Sequence, residues 1–132
     1  MSGKSPFLFV YGTLMVPEVV RRLLGHELHM RPARLGGFSR FRVKEAVYPG
    51  IIVGAADDFV DGQLLSGMTQ ADWETLDRYE GNEYARRSVQ VLGVDGEELL
   101  ADAYVFKHPG FLTDEPWDDS DVLNQLRALG LQ

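Results

Sequence analysis

Cysteine is absent from this 132-residue chain. That excludes a disulfide framework, a thiol nucleophile and a thiolate metal site, and it leaves packing to supply stability. Positive charge is scarce: thirteen lysines and arginines face twenty acidic residues, a formal charge of −7. This balance argues against electrostatic binding to nucleic acid or to an anionic membrane, though not against a local basic pocket. A small-molecule partner fits it better. Long apolar runs are missing too, and "MSGKSPFLFVYG" at the start has no extended hydrophobic segment ending in a small-residue cleavage site. The expectation is a cytosolic protein without a membrane partner. The three histidines, His26, His29 and His108, read as surface residues. The spacing in "HELH" is too short for the H-E-x-x-H of a zinc helix. "DDFVDG" lacks an oxygen ligand at Phe59 and a distal glutamate, so it is not a calcium loop. No G-x-S-x-G, Walker loop or G-x-G-x-x-G occurs. No metal or cofactor is expected.

What is present is enough for one core. At 45% hydrophobic composition, a chain of this length buries roughly 65% of its unfolded surface and makes one domain over residues 1–132. Phe7 to Val10 reads as a short buried strand. It enters a Gly12-Thr13 corner and then a helix from Pro17 to Leu24, with Pro17 in the first turn and Gly25 at the end. Gly36-Gly37 separates two strand-like runs as a hairpin or tight bend, and "YPGIIV" and "DFVDGQLLSGM" read as further strands. Thr69 and Asp72 mark a capping-box start to a helix that carries Trp73 and Leu76 on its core face and stops at Gly81.

From Tyr84 to Val91 the pattern returns to strand, and "VDGE" at 94–97 reads as a two-residue hairpin into "ELLADAYVF", whose Leu99, Ala101, Ala103 and Val105 share a face. An antiparallel meander follows from these turns. "HPGFLTDEPW" reads as a loop and "TDEPWDDSD" as a solvated loop and helix start, before a last helix from about Asp119 to Leu129. Short strands, hairpin turns and three peripheral helices define an α+β domain, a curled sheet or small barrel, and small barrels commonly carry a pocket at one mouth.

Two stretches carry candidate chemistry. In "FVYGTLM" a strand meets a glycine corner, which exposes backbone N–H groups beside a helix start and so can hold a carboxylate or an oxyanion. The plainer reading makes Gly12 a turn residue, Thr13 a partner of its own backbone and Tyr11 part of the core. In "LDRYEGNEYARR", Glu80 follows Leu76 by four residues and Trp73 by seven, which points it inward at the C-terminus of a helix. There the macrodipole and partial burial both disfavour its ionised form and raise its proton affinity toward the range of a general base. The competing reading pairs it with Arg86 or Arg87 at the edge of the core. Glu83 reads as loop surface.

The two stretches in this order, with "YPGI" between them and "AYVF" after, resemble the gamma-glutamylcyclotransferase-like family, which includes gamma-glutamylamine cyclotransferases and plant avirulence-induced proteins. The likeness runs from about Phe7 to Phe106. It implies a small mixed, largely antiparallel β-barrel with about three peripheral helices. It also implies a pocket where Tyr11, Gly12, Thr13 and Leu14 hold the polar end of a gamma-glutamyl substrate, Glu80 acts as acid/base, and Tyr84 lines the wall, with Tyr104 a weaker candidate. The implied reaction closes the substrate to 5-oxoproline and releases an amine or amino acid, without metal, cofactor or covalent nucleophile. A binding protein on the same fold that has lost the chemistry is the alternative. The leaving group and the oligomeric state are not legible in the residues.

Overall fold

The computed structural model describes residues 6–44, 46, 48–117, 121, 126 and 127. Five strands close into a barrel, β1 (Phe7–Val10), β2 (His29–Gly36), β5 (Phe59–Ser66), β6 (Tyr84–Gly93) and β7 (Glu98–Phe106), in the order β1-β5-β2-β6-β7. Three more, β3 (Phe38–Val43), β4 (Pro49–Val53) and β8 (Leu112–Pro116), make a small sheet in the order β4-β3-β8. Helices α1 (Pro17–Leu24) and α2 (Gln70–Glu80) and short 3₁₀ turns at Thr13–Met15 and Pro109–Phe111 complete the described elements. The fold is thus α+β with a closed, mixed barrel. No described helix is long and apolar enough to cross a membrane.

The barrel is mixed because β1 pairs antiparallel with β5 but parallel with β7. The residues of β1 explain its place. Phe9 and Tyr11 point into the barrel interior with Leu35, Leu64, Val91 and Ala103. Leu8 and Val10 point the other way, into a second core where Val19 and Val20 of α1 and Trp73 and Leu76 of α2 cover the barrel. A strand apolar on both faces needs cover on both, so β1 lies between two strands and under two helices. This overrides the expected meander, which survives only in the β3–β4 and β6–β7 pairs. Close contact also shapes the barrel at Gly62, where a Cβ would lie 2.2 Å from the Val10 carbonyl oxygen.

Both helices begin and end where the sequence indicates. Thr69 accepts from the Asp72 N–H and the Asp72 carboxylate accepts from the Thr69 N–H, which closes the capping box of α2. The exposed His26, just past α1, adds a ring contact to both Asp72 oxygens at 3.0 Å.

Of the two readings of Gly36-Gly37, the tight bend holds: β2 and β3 lie in different sheets, and the Gly37 N–H donates to the Asp58 carbonyl at 2.7 Å. Three expectations are corrected. The β6–β7 turn holds three residues, since Gly93 donates to the Glu97 carbonyl at 2.9 Å and Gly96 adopts φ 78, the geometry of a turn followed by a left-handed residue. Part of "HPGFLTDEPW" is strand β8, which joins β3 through the Val43–Leu112 and Phe41–Pro116 pairs; tertiary pairing supplies what its charged pattern does not. Trp117, part of the stretch read as a solvated loop, is 2% exposed with Arg40 across its ring, whereas Phe111 is 60% exposed. The expected last helix over 119–129 lies outside the described residues except for Asp121, Leu126 and Arg127.

Candidate active site

The end of β1, the corner after it and the end of α2 meet around a cavity of about 430 Å³. All six residues singled out in the sequence, Tyr11, Gly12, Thr13, Leu14, Glu80 and Tyr84, line it, and so does Tyr104. That volume suits a small metabolite.

Glu80 reaches the cavity because α2 carries Trp73, Leu76 and Glu80 along one stripe, the first two of them buried against the barrel. The helix then stops at Gly81, whose φ of 79 releases the chain toward β6. Glu80 is half-buried and has no hydrogen-bond or ion-pair partner among the described residues. Burial raises its pKa from 4.5 to about 7. The competing reading, a structural pair with Arg86 or Arg87, does not hold. Arg86 lies 3.4 Å from Asp77 and 3.7 Å from Asp102 and stacks 4.5 Å over the Trp73 ring, and Arg87 is exposed.

The tyrosines are fixed by their own protons. Tyr11 donates to the Tyr104 carbonyl at 2.6 Å, Tyr84 to the Pro49 carbonyl at 2.7 Å and Tyr104 to Asp77 Oδ1 at 2.7 Å. Burial is the first cause that pushes all three phenols up, with the nearby Glu80 carboxylate adding to it, so they stay neutral. Their hydroxyl protons are therefore spent on the protein, and the Tyr11 oxygen also takes a backbone hydrogen bond from Ile51. The corner keeps donors in hand. Thr13 and Tyr79 share one hydrogen bond of 3.2 Å, which uses one of their two hydroxyl protons and leaves the other for a ligand. The backbone N–H groups of Gly12, Thr13 and Leu14 have no acceptor among the described residues, as befits the start of a helical turn. Arg40 holds the corner from behind by donating to the Tyr11 carbonyl at 2.8 Å. The cavity is thus lined by a corner with donors to spare and by the unpaired carboxyl of Glu80.

Tyr48, Tyr79 and Glu83 also line the cavity and went unread in the sequence as site residues. Glu83 is exposed, as a loop residue should be, yet it stands at the cavity's edge. Tyr79 had a local signal, being one step along the helix from Glu80; Tyr48 had none. Among the described residues, no group of three or more His, Asp or Glu is placed to hold a metal ion.

A small mixed barrel with an acidic residue and a glycine corner facing one cavity defines a class, and the chain belongs to it. Residues 8–121 match the family model "Gamma-glutamyl cyclotransferase, AIG2-like", so the protein is a member of that family. It is 42% identical over 110 residues to AIG2-like protein C of Arabidopsis thaliana, covering 82% of this chain and 63% of that protein. With AIG2-like protein D of the same plant it shares 44% over 101 residues, 75% of this chain and 66% of the relative. The chain therefore spans just under two-thirds of these relatives' length. Among solved structures, it superposes on one of an Arabidopsis thaliana protein with a TM-score of 0.73 at 30% identity, over 94% of this chain and 85% of that one. A structure named gamma-glutamyl cyclotransferase shares the fold, with a TM-score of 0.72 at 18% identity over 95% of this chain and 80% of its own.

Proposed function

We propose that the protein is a gamma-glutamyl cyclotransferase, which closes a gamma-glutamyl amine or gamma-glutamyl amino acid to 5-oxoproline and releases the amine. The observation that carries this reading is the unpaired Glu80 carboxyl, with a pKa near 7, in the same cavity as the donor-rich corner.

The chemistry is an intramolecular aminolysis. The substrate's α-carboxylate takes the donors of the Gly12–Leu14 corner, and its α-ammonium lies beside Glu80. Ionised Glu80 removes one ammonium proton, the freed amine attacks the γ-carbonyl carbon, and a tetrahedral intermediate forms. That attack closes the ring; the protonated Glu80 then gives its proton to the departing nitrogen, the amide C–N bond breaks, and the second proton of the attacking nitrogen passes to the released amine, which leaves as an ammonium beside 5-oxoproline. Carboxylate and proton are both restored, so one residue serves as base and then acid. A group with a pKa near the working pH suits both roles, and such proton transfer contributes about 10²–10⁴-fold in rate. Holding the chain bent, with both ends fixed, removes rotational freedom that the free substrate must surrender, for which positioning contributes several kcal/mol, on the order of 7 or more in well-oriented systems.

Glu80→Gln is nearly isosteric, keeps the fold and lowers turnover by about 100-fold or more. The assay incubates each protein with a panel of gamma-glutamyl amines and dipeptides and measures 5-oxoproline by mass spectrometry. Cyclisation by Glu80→Gln at the parental rate refutes the assignment. A cytoplasmic location, with a small-molecule substrate and neither nucleic acid nor membrane as partner, belongs to the same proposal.

A further inference from the structure

Strand β6 turns two side chains toward α2. Tyr84 and Arg86 lie two residues apart and so leave the strand on one face. Tyr84 lines the cavity, and Arg86 stacks 4.5 Å over the Trp73 ring of α2. That helix carries two acids a turn apart, Asp77 and Glu80, whose three-residue spacing makes them surface neighbours at about 5–6 Å between Cβ atoms. One guanidinium therefore faces two carboxylates on one helix. It takes Asp77, at 3.4 Å, and Glu80 has no cation among the described residues.

Asp77 is tied down for this choice. Its Oδ1 accepts the Tyr104 phenol of β7 at 2.7 Å, and Asp102 of the same strand stands 3.7 Å from Arg86 Nε. The guanidinium is nevertheless not saturated, since Arg86 Nη1 is buried and makes no hydrogen bond among the described residues. Charge and the Trp73 face hold it in place. Both acids and the guanidinium act on one phenol: the Tyr104 pKa is raised by burial first, then by Asp77 and by Glu80, and is lowered by Arg86. The three charges share one neighbourhood.

The remaining groups around Glu80 offer it no counterion. Tyr11, Tyr79 and Tyr84 are phenols pushed up by burial and stay neutral. Glu83 is a like charge at the cavity's edge, beside the Tyr48 phenol whose pKa it raises after burial. Arg40 is engaged on the Tyr11 carbonyl, and His26 lies at the other end of α2, on Asp72.

Resting on the cyclotransferase reading, with Glu80 as its acid/base, we propose that Asp77 is a positioning residue: it holds Arg86 off Glu80, so that the catalytic carboxyl has no counterion and can both take the ammonium proton and return it. A Glu80 paired with Arg86 would stay ionised, a weaker base and no acid.

The reporter is the Glu80 carboxyl itself, followed across pH by carbon-13 NMR in glutamate-labelled protein and assigned by its absence in Glu80→Gln. Asp77→Asn keeps an oxygen for the Tyr104 proton but removes the charge, so Arg86 turns to Glu80 and the titration midpoint falls by about one pH unit. Arg86→Gln leaves Asp77 and Asp102 uncompensated, and the midpoint rises by about as much. The double variant loses one charge of each sign, and its midpoint returns to the parent's. A role in packing alone does not move the two single variants in opposite directions. A melting curve confirms that each variant is folded; should the loss of Arg86 unfold the protein, Asp77→Asn decides, and a midpoint unchanged or raised there overturns the proposal.

The kcat/KM profile, measured on whichever panel compound gives 5-oxoproline fastest, should follow the NMR midpoints. Midpoints that stay with the parent's, or a double variant that stays with Asp77→Asn, overturn the proposal and leave the cyclotransferase reading intact if the parent forms 5-oxoproline. Midpoints that move as stated in a protein that forms none keep Asp77 as the residue that holds Arg86 off Glu80 and sink the cyclotransferase reading. Unmoved midpoints and no 5-oxoproline overturn both.

Discussion

Burying an acid that must ionise has a cost that equilibrium unfolding can detect. In the unfolded chain Glu80 titrates near 4.5 and in the folded protein near 7. A carboxyl whose folded pKa is raised is neutral in both states at low pH, so stability is fully retained below about 4.5. Between the two values the unfolded chain releases its proton first, and stability falls as pH rises until it levels off above about 7. At about 1.4 kcal/mol per pH unit, the interval amounts to about 3 kcal/mol, the upper limit because the carboxyl opens onto cavity water. The neighbouring phenols of Tyr11, Tyr79, Tyr84 and Tyr104 all have raised pKa values and remain uncharged through this range.

Glu80→Gln has no proton to lose. Its stability relative to the parent should therefore rise by about 1 to 3 kcal/mol between about pH 4 and about pH 8, whatever constant offset the amide introduces. Urea unfolding at several pH values measures the difference. Parallel curves for the two proteins would mean that Glu80 ionises as it does in water, and the case for a poised acid/base would fail with them. A variant that gains stability as it loses activity is the expected signature of a site built at the expense of folding.

Three further outcomes follow from the same geometry. The kcat/KM profile should show a single-proton rise centred near pH 7 as free Glu80 ionises, and the corresponding limb in kcat should lie lower, because a bound ammonium favours the carboxylate; stopped assays across pH check both. Gly62→Ala places a methyl 2.2 Å from the Val10 carbonyl oxygen, and the backbone shift needed costs about 2–3 kcal/mol in urea unfolding. Thr69→Ala removes the side-chain acceptor of the Asp72 N–H at the start of α2 and costs about 1 kcal/mol by the same measurement.

Local chemistry made much of this protein readable. The bounds of α1 and α2 follow from Pro17, Gly25, Thr69, Asp72 and Gly81, because caps act within a few residues and are written where they act. The inward face of Glu80 follows from helical spacing after Trp73 and Leu76. Elements that depend on distant partners were not readable. Strand β8 exists because β3 offers an edge to it, and Trp117, the residue after it, is buried with Arg40 across its ring. Tyr48 lies far along the chain from Glu83 and next to it in space, and no short-range pattern records that.

The amino-acid sequence alone determined the family, the apolar stripes, the helix ends and the presence of a glycine corner and an inward acid, since each depends on residues a turn or a pleat apart. Only the tertiary structure decided that the acid is unpaired, because Arg86, a candidate partner by sequence, is held by Asp77, Asp102 and the face of Trp73. It also decided which hydroxyl protons are spent and which remain. Hydrogen bonds and charge pairs go to whichever partner the closed barrel brings within about 3 Å, and closure joins strands that are far apart in the chain.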